Sequence, residues 1–206
     1  TALREADVVL VVGATLDFRL RYGGFGEGAL VHVHGDAREI GRNRVPDVGI
    51  TADCALALEA LTVAATRSAA VEDGWLDALR AAEQRWWGEH EAEIAATAAP
   101  LHHYRLGAEL DRALPPSATV IGDGGDVVAA VSRVLRVHAP GHWLDPGPFG
   151  CLGVGPGYAL GAGVAGVEGP IVVVMGDGAF GLNGLDLDTL VRFDVPAVVV
   201  IGNDGA

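Results

Sequence analysis

The chain has 206 residues, half of them hydrophobic, with 27 Asp+Glu against 14 Lys+Arg, every one of the latter Arg, for a formal net charge of −13. That balance describes an acidic globular chain with enough apolar surface for a sizeable core, and it excludes collagen-like and disordered low-complexity readings even though Gly reaches 30 residues. An acidic chain without an Arg cluster repels phosphodiester backbones, and no apolar run approaches the roughly 20 residues of a membrane-spanning helix, so neither nucleic acid nor membrane is an expected partner.

Thr1 rather than Met opens the chain and Ala206 closes it five residues behind an apolar run, so the expectation is a segment of a longer polypeptide. The β-branched runs at 8–12, closed by Gly13, and at 29–33, closed by His34-Gly35-Asp36, read as buried parallel strands. A helix over 53–65 follows, with Asp53 as its N-cap and Leu56, Leu58, Leu61 and Val63 at helical spacing. Residues 1–65 thus read as half of an α/β domain. Residues 66–100, Ala-rich and charged, with Trp75, Trp86 and Trp87, read as a connecting helical linker. From 101 onward Leu106, Leu110 and Leu114 form a helix stripe ended by Pro115-Pro116. Strands are then predicted at 119–121, 171–175 and 197–201, separated by helices at 126–135, 157–164 and 183–193. This alternation predicts an α/β fold with two doubly wound parallel-sheet units. Cys54 and Cys151 lie in unrelated contexts without a CxxC, so no disulfide framework or thiolate metal site is expected, and a reducing cytoplasm is the default setting.

The chemistry concentrates in Gly176-Asp177-Gly178 and, after 24 intervening residues, Asn203-Asp204-Gly205, each placed directly behind a five-residue apolar strand. Both groups fall at the carboxyl ends of strands joined by one helix, the edge where doubly wound sheets bind ligands. One carboxylate and one amide oxygen converging there suit Mg²⁺, which takes one or two carboxylates and completes its shell with phosphate oxygens. The glycines admit close approach of an anion, and the helix expected near Asn183 would direct N–H groups to the same region. Each tripeptide alone is equally an ordinary turn. Their paired position favours a metal–diphosphate site.

This pattern resembles the cofactor signature of thiamine-diphosphate-dependent enzymes. The resemblance extends to Val8-Val9-Leu10-Val11-Val12-Gly13-Ala14, His32-Val33-His34-Gly35-Asp36, Asp47-Val48-Gly49-Ile50, Ile121-Gly122-Asp123-Gly124-Gly125-Asp126 and Trp143-Leu144-Asp145-Pro146-Gly147-Pro148-Phe149-Gly150-Cys151-Leu152-Gly153. The wording is most similar to acetolactate synthases and to 2-hydroxyacyl-CoA lyases. It implies 1–65 as the second half of a central domain and 101–206 as a diphosphate-binding domain cut short at its C-terminus. It further implies thiamine diphosphate and Mg²⁺ as cofactors, a 2-keto acid or acyl-CoA substrate, and a homodimer or homotetramer. Asp177, Asn203 and the Gly205 carbonyl would be metal ligands. Gly176, Gly178 and Ala179 would face the diphosphate, and Asp123, Gly124, Gly125 and Asp126 would hold the cofactor's other side, replacing the Gln-His pair common in acetolactate synthases. Gly150 and Leu152 would approach the aminopyrimidine, Leu152 standing where relatives carry a Met. The family's catalytic Glu belongs to a domain preceding these residues, so the catalytic acid lies outside the chain and the segment by itself is expected to be inactive. A 2-hydroxyacyl-CoA lyase or oxalyl-CoA decarboxylase is the nearby alternative to an acetolactate synthase-like enzyme, and a non-catalytic nucleotide-binding module the alternative of another class.

Other features carry less. The Gly153, Gly155, Gly157 run follows no strand and so departs from a dinucleotide fingerprint. His32 and His34 share one strand face, where packing is the simpler role than metal binding. Asp36 stands where the resemblance allows a nucleotide such as FAD, with a solvated loop as the other reading. His102 and His103 precede a helix as surface residues, and Cys151 has no neighbouring base.

Overall fold

The computed structural model describes residues 2–65 and 73–204, and Thr1, 66–72, Gly205 and Ala206 lie outside the described residues. The chain divides into two compact units, Thr1–Gly88 and Glu89–Ala206. Both are α/β with wholly parallel sheets.

The first unit runs α1 (Ala2–Glu5), β1 (Val8–Val12), β2 (Ala29–His34), β3 (Val48–Thr51), α2 (Cys54–Ala64), with the strands side by side in that order. Val9 and Val11 of β1 and Leu30 of β2 bury one sheet face with Leu16 and Phe25, while the alternate residues Val8 and Leu10 are exposed. The sequence shows no strand at β3, which is four residues long and contains Gly49. Pairing with β2 in the register Val33↔Ile50 builds it. Asp53 caps α2 as expected, accepting the N–H groups of Ala55 at 2.9 Å and Leu56 at 3.1 Å. The supposed apolar stripe of α2 is no stripe. At 3.6 residues per turn Leu56 and Val63 fall opposite Leu58 and Leu61, so one sheet cannot cover all four, and all four are exposed.

The linker is two helices, α3 (Asp73–Glu89) and α4 (Glu91–Ala95), because His90 leaves helical geometry at φ −109, ψ 7. The expectation for 66–72 falls outside the described residues.

The second unit continues with α5 (His103–Ala113), β4 (Thr119–Gly122), α6 (Asp126–Val134), β5 (Trp143–Leu144), α7 (Gly155–Val164), β6 (Ile171–Gly176), α8 (Asp177–Asn183), α9 (Leu187–Arg192) and β7 (Ala197–Gly202), in the strand order β5-β4-β6-β7. All six residues of β6 are buried, and their period of two sorts the core. Ile171, Val173 and Met175 face Ala159, Ala162 and Leu190. Val172 and Val174 face Val127, Val131 and Leu135, with Leu106, Leu110 and Leu114 behind them as the helix stripe predicts. Each such side chain contributes about 1.5–3 kcal/mol when fully buried. The structure corrects the helix expected over 183–193. Gly176, extended at φ −74, ψ 160, releases the chain from β6 straight into α8, and the path breaks at Asn183–Asp186 before α9.

Asp111 ties α5 to the end of α6, accepting the Arg136 backbone N–H at 2.8 Å and its guanidinium at 3.1 and 2.7 Å. The Arg136 side chain holds the Asp111 carboxyl below the usual carboxylate range. A pKa lowered on folding adds stability above the unfolded value near 4, and that stability is lost as pH falls through the folded value. Thermal melts should therefore show Asp111→Asn less stable than the parent at pH 7, with the gap narrowing as pH falls below the ordinary Asp value near 4.

Candidate functional site

The site is built where β6 and β7 end together. Gly176 and Gly202 are register partners and the last residues of their strands, so Asp177 and Asn203 leave the sheet side by side from strands about 4.8 Å apart. Two crossings over the strand ends require glycine. A Cβ on Gly202 would stand 2.7–3.0 Å from the Val127 side chain at the start of α6. Gly124 and Gly125, at φ +82 and +89, turn the chain over Gly176, whose N–H donates to the Gly124 carbonyl at 3.2 Å.

Asp177 is half-buried in the first turn of α8 and Gly178 is exposed with open space above its Cα, while Ala179 is buried. Backbone N–H groups in a first turn have no acceptor inside their own helix, so this end offers donors beside the Asp177 carboxylate. Asp126 is exposed in the first turn of α6. Leu152, about half exposed, lies on the bare Cα of Gly124, where an added Cβ would overlap its Cδ2. Gly150, in the left-handed region at φ +60, closes the short turn before it.

Asp123 differs from the others. It is fully buried, and its two oxygens accept the backbone N–H groups of Val154 at 2.9 Å and Gly155 at 2.7 Å, at the start of α7. Its side chain is turned into the protein, and its neighbours in the loop reach the site through the backbone. Gly205 lies outside the described residues. The structure thus gathers Gly124, Gly125, Asp126, Leu152, Gly176, Asp177, Gly178, Ala179 and Asn203 at one sheet edge, with Asp123 beneath. Sequence reasoning missed Asn183, whose amide donates to the Gly153 carbonyl at 3.1 Å and to Asp186 at 2.8 Å. An acidic residue three positions on was its only local signal.

His102 and His103 line an open cleft of about 590 Å³ together with Leu106, Ile201, Asn203 and Asp204. His102 also caps α5, its Nδ1 accepting the Tyr104 N–H at 3.2 Å. In the first unit, His32 is buried with Nε2 3.0 Å from the Ala14 carbonyl, and its Nδ1 has no partner among the described residues. His34 Nδ1 accepts the Asp36 N–H at 3.0 Å. The Asp36 carboxylate is engaged by the Arg38 guanidinium at 2.6–3.0 Å, which holds its carboxyl down at about 2. Among the described residues no three His, Cys, Asp or Glu side chains cluster as a metal site, and the donors this edge could offer a cation are the Asp177 carboxylate and neighbouring amide and carbonyl oxygens. That donor set suits Mg²⁺ better than Zn²⁺.

Residues 116–206 match the family model "Thiamine pyrophosphate enzyme, C-terminal TPP binding domain" and residues 1–61 the model "Thiamine pyrophosphate enzyme, central domain", and the chain belongs to that family. It is 42% identical over 206 residues to a probable acetolactate synthase of Mycobacterium bovis, covering 99% of this chain and 37% of that protein. It is 34% identical over 210 residues to the 2-hydroxyacyl-CoA lyase 2 of Bos taurus, covering 98% of this chain and 33% of that protein. The chain therefore spans about a third of the length of the curated relatives it matches. A thiamine diphosphate-dependent 4-hydroxybenzoylformate decarboxylase of Rhodococcus jostii shares the fold at a TM-score of 0.73 and 22% identity, over 98% of this chain and 37% of its own.

The Gly124–Leu152 contact yields a test. Gly124→Ala should destabilise the protein by about 1–3 kcal/mol in urea unfolding, the scale of overpacking, compounded by the positive φ. Leu152→Ala in the same chain should restore the steric part.

Proposed function

We propose that the protein carrying this chain is a thiamine-diphosphate- and Mg²⁺-dependent enzyme of the acetolactate synthase type, making or breaking a carbon–carbon bond next to the carbonyl of a 2-keto acid. The observation that carries this reading is the register pairing of Gly176 with Gly202, which sets Asp177 and Asn203 on neighbouring strand ends beside the donor-bearing start of α8. In this reading the Asp177 carboxylate, the Asn203 amide oxygen and the Gly205 carbonyl hold Mg²⁺, and Gly176, Gly178 and Ala179 face the diphosphate. Gly124, Gly125 and Asp126 border its other side, and Gly150 and Leu152 meet the aminopyrimidine. Asp123 contributes from beneath. When bound, thiamine diphosphate supplies a carbanion nucleophile and electron sink. The chain's own part is to orient it, neutralise the diphosphate charge and exclude water with Leu152 and its neighbours.

A 2-hydroxyacyl-CoA lyase or oxalyl-CoA decarboxylase is the second reading. The observation that favours it is the match to 2-hydroxyacyl-CoA lyase 2 over nearly the whole chain, and the resemblance adds that the Asp123–Asp126 loop replaces the Gln-His pair common in acetolactate synthases. Exposed Phe149 (87%), Leu182 (66%) and Leu185 (92%) suit burial against a second subunit, in a homodimer or homotetramer. No described helix is long and apolar enough to cross a membrane, and Cys54 and Cys151 are unpaired, which suits a cytoplasmic enzyme. FAD at the end of β2 would have to displace Arg38 from Asp36.

In the full-length protein, calorimetry should show Asp177→Ala abolishing Mg²⁺-dependent thiamine diphosphate binding with the melting temperature retained. Unchanged affinity in the folded variant would remove Asp177 from the site. Acetolactate release from pyruvate supports the first reading, and aldehyde release from a 2-hydroxyacyl-CoA the second. Neither product and no cofactor binding would leave a nucleotide-binding module. The 206-residue segment by itself should give neither product.

A further inference from the structure

The loop 150–155 presents Cys151 and Leu152 to solvent, yet it is held from three directions. From beneath, the buried Asp123 carboxylate takes the N–H groups of Val154 and Gly155. From the side of α8, the Asn183 amide grips the Gly153 carbonyl and is itself oriented by Asp186. Gly153, at φ +80, packs so closely that a Cβ there would stand 3.1 Å from the Cβ atoms of both Leu182 and Asn183. From above, Leu152 rests on Gly124, next to the Gly125–Gly176 crossing that leads to Asp177.

A carboxylate without solvent contact survives only where strong donors satisfy both oxygens, and here both donors are backbone groups of this one loop. Asn in its place would keep the volume but set an NH₂ against one of the two N–H groups, donor against donor. Val128 and Trp143 fill the space over neighbouring Gly122, so the strand end behind Asp123 has no room to move toward a new partner.

From this convergence we infer that Asp123 and Asn183 are positioning residues that fix Leu152 over Gly124 without touching reacting atoms. The inference deepens the proposed function, since it rests on Leu152 facing the cofactor there.

The test uses the full-length protein with Asp123→Asn, Asn183→Ala, Leu152→Ala and the double variants with Leu152→Ala. Without cofactor, hydrogen exchange at the Val154 and Gly155 amides should accelerate by about tenfold or more in Asp123→Asn, the loss of a charged acceptor. With thiamine diphosphate and Mg²⁺, kcat should fall by about 10- to 100-fold, the scale of a misplaced group about 1 Å from its position, while substrate KM and cofactor Kd stay within about threefold. Asp123→Asn combined with Leu152→Ala should lose no more than Leu152→Ala alone, because both act through one side chain. Asn183→Ala should repeat the pattern in weaker form, and it carries the test by itself if Asp123→Asn does not fold. Unchanged exchange, or losses in kcat that add to those of Leu152→Ala, overturn the inference. Accelerated exchange in a protein that binds no thiamine diphosphate upholds the hold on the loop and overturns the proposed function instead.

Discussion

In the second unit, every position that matters to the site is referred to β6. Its six buried residues satisfy both faces of the sheet at once, and its parallel pairings with β4 and β7 leave the strand ends level. Because both faces are packed, β6 cannot slip by one residue without exchanging the side chains offered to α7 and α9 for those offered to α5 and α6. The register is thereby pinned, and with it the pairing of Gly176 with Gly202. The placement of Asp177 beside Asn203 is a consequence of core packing, although neither residue belongs to the core.

Two carboxylates in this unit have nearly the same local sequence and opposite tasks. Asp123 and Asp177 each follow a β-strand and a glycine and precede another glycine. Asp177 starts a helix at once and stays half-buried at the edge, whereas Asp123 enters a glycine turn and its side chain folds inward to partners 31 and 32 residues away. The turn separates them. Two consecutive positive φ values carry Gly124 and Gly125 over the sheet, and the carboxylate in front of that turn is left pointing at the start of α7.

What could be read from the sequence follows the same logic. The strands at 8–12, 29–33, 119–121, 171–175 and 197–201 were legible because parallel strands are apolar, β-branched runs, although 8–12 and 197–201 are less buried than such runs suggest, and the loops behind them because glycine closes each one. The spacing of Asp177 and Asn203 was legible for the same reason. β3 and β5 were not, being short segments that exist by pairing with a neighbour. The start of α8 was missed because Gly178, Gly181 and Gly184 carry low helix propensity and no apolar stripe marks the turn, so tertiary context decides it. The inward role of Asp123 was invisible because its partners are backbone groups, which leave no trace in residue type.

That last property reaches further than the site itself. The grip of Asp123 and Asn183 on loop 150–155 is exerted on peptide groups at 153, 154 and 155, and among the exposed side chains of the loop it is Leu152 that packs on Gly124, so the identity of the side chain at 151 is mechanically uncoupled from the loop's height. A lineage could exchange Cys151 for a larger, smaller or polar residue and keep the same platform beneath it. The scaffold separates the geometry of the wall from its chemistry, an arrangement under which new specificities can be sampled at little cost to the fold.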